Sequence, residues 1–377
     1  MVKTFHHIDL AWLAILYASF IGFAWLLLKT PFIAEPFKAA PPQFPVGAGL
    51  NGYRGMLAIC VFFHHAMIHF NYLRTKIWDN PISVFHHVPE QVGMGGFFMM
   101  TAYVFTTKIV SINDLDWMRV YSSRVRRIVP LYVFATVVLL LVVLLKTRFT
   151  LNVPLVQLFK TILRWFSFSM FGTPDVNGLR NTFTINAGVY WTLLYEWLFY
   201  LCLPFLTFLI KSTKWLGWLV MLVVLTLLVG FVKNQGFLYY FVGGIALALF
   251  SPLIPTSKHN WVYGLLVLGV HYLLFTFFER AFDLLPAVLV TVLSYGLIKS
   301  EHVAWFFTRR PVNWLGYISY SVFLLHGIVI TISVIVMRRL HIPWELSNYW
   351  AIVAGMGFVV VLTSTMTFQL IERRFWR

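Results

Sequence analysis

Apolar runs long enough to cross a bilayer recur along the whole chain, separated by short polar or basic segments. A hydrocarbon core about 30 Å thick is crossed by about 20 apolar residues in a helix. The first run, Leu10–Leu28, is long for the apolar region of a signal peptide, and no small-residue cleavage site follows it. It therefore reads as a retained span. Pro31, Pro36, Pro41, Pro42 and Pro45 then mark a loop from Lys29 to Gly49. Further spans are predicted at Tyr53–Phe70, Val92–Val110, Val129–Leu145, Val189–Ile210, Trp215–Val232, Phe237–Phe250, Val262–Phe278, Leu284–Ile298, Leu315–Val336 and Tyr349–Ile371. No internal repeat and no break in composition divides them. The pattern predicts an all-α polytopic membrane helical bundle, with an N-terminal transmembrane helix and Pro-rich loop over 1–49. One membrane domain of about ten core transmembrane helices fills 50–377.

Basic residues set the orientation of such a chain. The connection Ser111–Ile128 carries Arg119, Arg124, Arg126 and Arg127, and the tail carries Arg373, Arg374 and Arg377. An even number of crossings between them puts both on the cytoplasmic face. Counting Leu155–Phe171 as one more crossing would expel the tail, so that segment is predicted to be interfacial or re-entrant. Lys146–Gly188 then becomes an external cap, Arg54 falls at the cytoplasmic face, and Arg338 and Arg339 are the exception to the scheme.

Composition agrees with the pattern. Of 377 residues, 60% are hydrophobic and only 11% charged, which excludes a soluble protein of this size. The net charge of +16 comes from 29 Lys and Arg against 13 acids, spread between the apolar runs. That distribution suits lipid headgroups or an anionic small ligand, and no nucleic-acid motif accompanies it. Two cysteines, Cys60 and Cys202, lie inside apolar runs and form no disulfide framework.

Polar residues inside the spans are the candidates for chemistry. Arg54 and His65 stand eleven positions apart in LNGYRGMLAICVFFHHA, about three full helical turns, so they share one face roughly 16 Å apart along the axis. With Arg54 at a membrane surface, His65 lies near the midplane, as a functional group or as a core histidine satisfied by a neighbouring helix. His69 shares the His65 face and His64 points about 100° away. The pair His65 and His69, with His86 and His87 beyond, raises a metal reading, but no acidic ligand lies near them on their helix and no metal is expected. Arg124, Arg126 and Arg127 either grip phosphate oxygens or mark topology alone. Glu196, roughly 10 Å deep in its helix, needs a partner or a proton. Trp191 and Tyr200 flank it as a stacking face or as belt residues. His326 lies about eleven residues into its own helix.

Taken in order, these segments resemble the acyltransferase family 3 membrane proteins, which O-acylate sugars and related envelope molecules. Arg54 and His65, with Gly55 and Ala66, are similar to the family's opening pattern. GMGGFFMMTAYVF at Gly93–Phe105 resembles its glycine and double-phenylalanine helix, with Thr101-Ala102 where the family usually has Ser-Gly. SSRVRRIVPLY, Ser122–Tyr132, WTLLYEWLFYLCLP, Trp191–Pro204, and LGYISYSVFLLH, Leu315–His326, also match, and IERRFWR resembles the family's ending, with Arg374 where proline is common.

The resemblance implies an acyl-coenzyme A-dependent membrane O-acyltransferase, most simply an O-acetyltransferase using acetyl-coenzyme A. Its acceptor would be a hydroxyl of an envelope glycan or glycolipid, such as an exopolysaccharide or lipopolysaccharide, at a bacterial inner membrane. His65 would be the base, Arg54 would position the donor, and Arg124, Arg126 and Arg127 would bind its phosphates. Glu196 would serve the acceptor side, with Trp191, Tyr200, His69 and His326 near the substrate. Membrane lipid and a separate periplasmic acyl-transfer or polysaccharide-assembly protein are the partners implied. A secondary transporter or flippase of a lipid-linked sugar would use the same intramembrane residues, and an assembly protein would use them only for packing.

Overall fold

Backbone polar groups have no water to bond inside a bilayer, so apolar runs of this length must close their hydrogen bonds internally as helices. A computed structural model describes residues 6–33, 49–79, 84–112, 114–211, 236–253, 260–278 and 280–375. Helices run over His6–Leu27 (α1), Gly49–Thr75 (α2), Val84–Ser111 (α3), Trp117–Lys146 (α4), Leu155–Trp165 (α5), Trp191–Lys211 (α6) and Leu238–Phe250 (α7). They continue over Asn260–Phe277 (α8), Leu284–Lys299 (α9), Glu301–Thr308 (α10), Arg310–Tyr317 (α11), Ser319–Arg339 (α12) and Tyr349–Thr367 (α13). Among the described residues the only β pairing is one isolated bridge, Val176 with Leu179. The protein is an all-α membrane bundle. α2, α4, α6, α12 and the run Tyr349–Phe375 are long and apolar enough to cross a membrane, and α1, α7, α8 and α9 hold shorter apolar stretches. The predicted span Trp215–Val232 lies outside the described residues.

Three local features depart from the sequence reading. The basic connection Ser111–Ile128 is helical from Trp117, because Asp116 caps α4 by accepting the Arg119 amide at 3.0 Å. Pro130, second in the predicted span Val129–Leu145, therefore sits well inside α4. The predicted span Leu315–Val336 is broken at Ile318 into α11 and α12. At the chain's end α13 passes into a wider π turn over Phe368–Glu372.

Burial orders the bundle. Of the most apolar window of α2, and equally of α12, 67% is buried inside the protein, against 22% for α6. α2 and α12 are therefore interior helices and α6 is peripheral. α2 reaches α11 through a backbone-on-backbone crossing: a Cβ on Gly55 would stand 2.5 Å from the Gly316 amide nitrogen, and one on Gly316 would overlap the Asn51 carbonyl. Beside the crossing, the Asn51 side-chain amide donates to the Asn313 carbonyl at 3.1 Å. The approach fixes Arg54, the residue next to Gly55, against the α11–α12 junction.

The chain from α4 to α6 forms a cap at the other end of α2. With 11 residues α5 is roughly 16 Å long, too short to cross alone. It exposes Leu155, Val156, Phe159 and Leu163, as an interfacial helix does. Trp165 is buried beneath it, where its indole donates to the Pro174 carbonyl at 2.8 Å and its own carbonyl accepts from Tyr132 of α4. Farther on, the 3-10 turn Thr182–Asn186 inserts against α12 at Gly327, where a side chain would meet the Asn186–Ala187 backbone.

Gly55→Ala is expected to lower the melting temperature of detergent-solubilised protein by the equivalent of about 1–3 kcal/mol of overpacking. Gly355→Ala, where nothing lies within 4 Å of the added Cβ, should leave it unchanged or raise it by up to about 1 kcal/mol, since alanine favours helix. Equal melting temperatures for the two variants would contradict the tight crossing.

Candidate active site

Five helices converge on a cavity of about 120 Å³ that is partly open to the exterior. α2 contributes Arg54, α3 Phe97, Thr101 and Lys108, α4 Arg124 and Arg127, α6 Glu196 and Tyr200, and α12 Tyr320 and Phe323. Arg124 and Arg127 are three residues apart and so face the same way. Arg126 points elsewhere: it is exposed, and its guanidinium donates to Ser122 of its own helix at 3.2 and 2.8 Å. Of the three arginines expected to act together, the structure brings Arg124 and Arg127 to the cavity, beside Arg54 and Lys108, a lysine the sequence reading passed over. Aromatic rings seat these cations: Arg54 lies 5.6 Å from the Phe97 ring centre, and Arg124 and Lys108 lie 5.3 and 5.7 Å from that of Phe105.

Four cations against one lining carboxylate, Glu196, leave the cavity positive by three. Glu196 does not stand apart on an acceptor side: it faces the arginines, within electrostatic reach of Arg54 and Arg127. One turn later on α6, Tyr200 is buried and its hydroxyl donates to the Glu196 carboxylate. Its ring packs 5.2 Å from that of Phe105 and 5.8 Å from that of Trp197. Trp191 lies outside the cavity lining, packed against Phe98, Tyr195 and Phe237. The structure thus brings neither aromatic together as an open stacking face. A second carboxylate stands behind the arginines. Glu372, in the π turn, is buried, accepts from the Ser321 hydroxyl, and lies within electrostatic reach of Arg127 and Arg54. Its only signal in the sequence is an acid in the terminal IERRFWR.

The histidines form a separate group toward the cap. His65 of α2 and His326 of α12 are both buried, with ring centres 5.0 Å apart and His65 Nδ1 3.1 Å from His326 Nε2. Nδ1 of His65 also faces the Val61 carbonyl at 3.0 Å, and Nδ1 of His326 faces the Val322 carbonyl at 3.0 Å. A carbonyl only accepts, which assigns the proton to Nδ1 in both rings. The single His65 Nδ1–H is then shared between the Val61 carbonyl and His326 Nε2, and His65 Nε2 keeps its lone pair. His69 sits one turn on, with Nδ1 2.8 Å from the His65 carbonyl and Nε2 3.2 Å from the Thr184 carbonyl. It ties α2 to the cap rather than lining the cavity. His64 turns to the opposite neighbour, Glu90 of α3, with Nε2 3.8 Å from the carboxylate.

Two aromatic rings connect these groups. Phe97, beneath Arg54, lies 5.7 Å from Phe323, which lies 6.3 Å from His326. Phe97 and Phe323 line the cavity and so stand between the cations and the histidine pair, neither member of which lines it. Among the described residues no group of three or more His, Cys, Asp or Glu could hold a metal ion. The side chains of His86 and His87 lie outside the described residues.

A family model described as an acyltransferase domain matches residues 48–368. No curated protein and no solved structure matches the chain.

Removing one member of a buried charge network leaves the others uncompensated, at a cost of about 3–5 kcal/mol. Glu372→Ala should therefore lower the melting temperature strongly, and Glu372→Ala combined with Arg127→Met should recover part of the loss. A double variant no more stable than Glu372→Ala would mean that the carboxylate does not balance Arg127.

Proposed function

The chain belongs to the acyltransferase family whose model it matches, and we propose that it moves an acetyl group from acetyl-coenzyme A to a hydroxyl of a cell-envelope glycan or glycolipid. The observation that carries this reading is the His65–His326 pair, a base with its tautomer held, on the same helix as Arg54. Eleven residues of α2 separate Arg54 from His65, roughly 16 Å, a gap that an extended pantetheine arm can span. Arg54, Lys108, Arg124 and Arg127 hold the donor's phosphates with charge-assisted hydrogen bonds. Glu196 and Glu372 hold the arginines in place, and Arg126 has no part in binding. The thioester passes Phe97 and Phe323, whose bulk favours a short acyl group.

The acceptor enters from the opposite end, beneath the cap formed by residues 147–190. As its hydroxyl oxygen attacks the thioester carbonyl, His65 Nε2 takes the hydroxyl proton. The carbon–oxygen bond of the ester forms, the carbon–sulfur bond breaks, and the proton passes to the departing thiolate. His326 acts by accepting the His65 Nδ1–H bond, which aims Nε2 at the acceptor. The arginine end faces the cytoplasm of a bacterial inner membrane, the side on which coenzyme A is found. A separate periplasmic protein receives the acyl group where the final glycan lies beyond the membrane's reach.

Purified protein in lipid vesicles, given radiolabelled acetyl-coenzyme A and a membrane glycolipid extract, is expected to transfer label. His65→Ala should lose about 10²–10⁴ of the rate, the usual share of a general base, and His326→Ala should lose less. Absence of transfer by folded wild-type protein from any acyl-coenzyme A, or a folded His65→Ala protein of unchanged rate, would overturn the proposal.

Arg127→Ala should raise KM for acetyl-coenzyme A about tenfold or more, as expected for a lost charged hydrogen bond. Arg126→Ala should leave KM unchanged. Equal effects of the two would place the phosphates elsewhere.

A further inference from the structure

Topology gathers cations at one end of a membrane bundle, and this bundle carries them at both. Arg119, Arg124, Arg126 and Arg127 lie at the cavity end, on the first turns of α4. At the cap end α4 finishes on Lys146, with Arg148 just beyond, and α12 finishes on Arg338 and Arg339, the exception to the orientation scheme. A helix dipole favours a cation in the last turn, which accounts for one on each helix taken alone. It does not account for their being brought together, since like charges repel.

The packing of α4 on α12 does bring them together. Tyr320, in the first turn of α12, donates to the Ile128 carbonyl of α4 at 3.0 Å. From that contact both helices run eighteen residues toward the cap, to Lys146 and to Arg338, which is five full turns and roughly 27 Å. They end at one height, with Lys146 and Arg338 within electrostatic reach of each other. Lys146, Arg148, Arg338 and Arg339 are exposed, and none pairs with a carboxylate among the described residues. Asp175, the cap's own acid, instead accepts the Thr182 amide at 3.1 Å. The cluster also connects inward. His69, one turn from His65 on α2, is within electrostatic reach of Lys146. Thr331 of α12 lies 3.5 Å from His69 Nε2 and donates to the Ile185 carbonyl of the cap at 3.1 Å.

We propose that Lys146, Arg338 and Arg339 bind a phosphate group of the acceptor, so that the substrate is a phosphate-bearing glycolipid rather than a neutral glycan. This rests on the reading in which the acceptor enters beneath the cap. Cations that share no carboxylate keep their donors for a ligand, and the two guanidinium forks match phosphate oxygens in pairs. α5 belongs to the same cap and exposes the apolar face of an interfacial helix. That puts the cluster at headgroup level, where a glycolipid carries its phosphate. Arg338 lies twelve residues beyond His326 on α12, roughly 18 Å along the axis. The phosphate is therefore separated from the reacting hydroxyl by more than one sugar residue.

The test is equilibrium binding to the full chain in phosphatidylcholine nanodiscs without acetyl-coenzyme A, so that failure of binding and failure of acetyl transfer are scored apart. The probes are a dansylated alkyl phosphate-linked maltotriose and the uncharged alkyl glycoside of the same sugar. The phosphate probe is expected to bind at least tenfold more tightly than the glycoside. Arg338→Gln with Arg339→Gln should weaken it at least tenfold, as expected for lost charged hydrogen bonds, and leave the glycoside unchanged. Lys146→Gln, on the other helix, should cost at least threefold, which decides the matter if the double variant does not fold. Arg119→Gln with Arg126→Gln removes the same charge from the opposite end and should change nothing. Equal binding of the two probes, unchanged affinity in a folded cap-end variant, or an equal loss in the cavity-end variant would overturn the proposal. So would full displacement of the probe by an equal concentration of phosphatidylglycerol, which would assign the cluster to the membrane's own headgroups.

Discussion

Cations held inside an apolar bundle need nearby negative charge, and that requirement ties together parts of the chain far apart in sequence. Arg54 on α2 and Arg127 on α4 are balanced by Glu196 from α6 and Glu372 from the π turn after α13. Each carboxylate is in turn held by a hydroxyl, Tyr200 for Glu196 and Ser321 for Glu372. The close passage of Gly55 over Gly316 brings α11 and the start of α12 to the same end of the bundle. Four segments spread over more than 300 residues, from Arg54 to Glu372, thus meet around one charge cluster of net positive charge.

α2 is the helix that both ends of the site share. Its first turns present Arg54 to the cations, its middle presents His65 to His326, and its last buried turn holds the cap through His69. Helical periodicity does this with one element, because residues eleven apart return to the same face. The same periodicity gives the helix a second stripe, Tyr53, Leu57, Cys60 and His64, so the histidine side and the apolar chamber beside α1 share a backbone. A displacement of α2 would reach both, which is why its packing relies on glycine contacts that leave little freedom.

The sequence by itself determined the fold class, most helix positions, and the pairing of Arg54 with His65 on one face, because hydropathy and the helical period act within a single segment. It also located Glu196, His326 and the arginine cluster as candidates, since a polar residue in an apolar run is costly wherever the run packs. What only the tertiary structure decided were relations between segments. Arg124 and Arg127 were separated from Arg126 by the helical extension of α4 below the membrane run, which a hydropathy profile reads as a loop. Glu196 joined the arginines because charges of opposite sign attract across helices, and no local pattern records that. Glu372 and Lys108 carry no motif of their own, and the ring that His65 meets belongs to a histidine 261 residues away. Trp191 and Tyr200 were drawn into packing by neighbours that only the assembled bundle supplies.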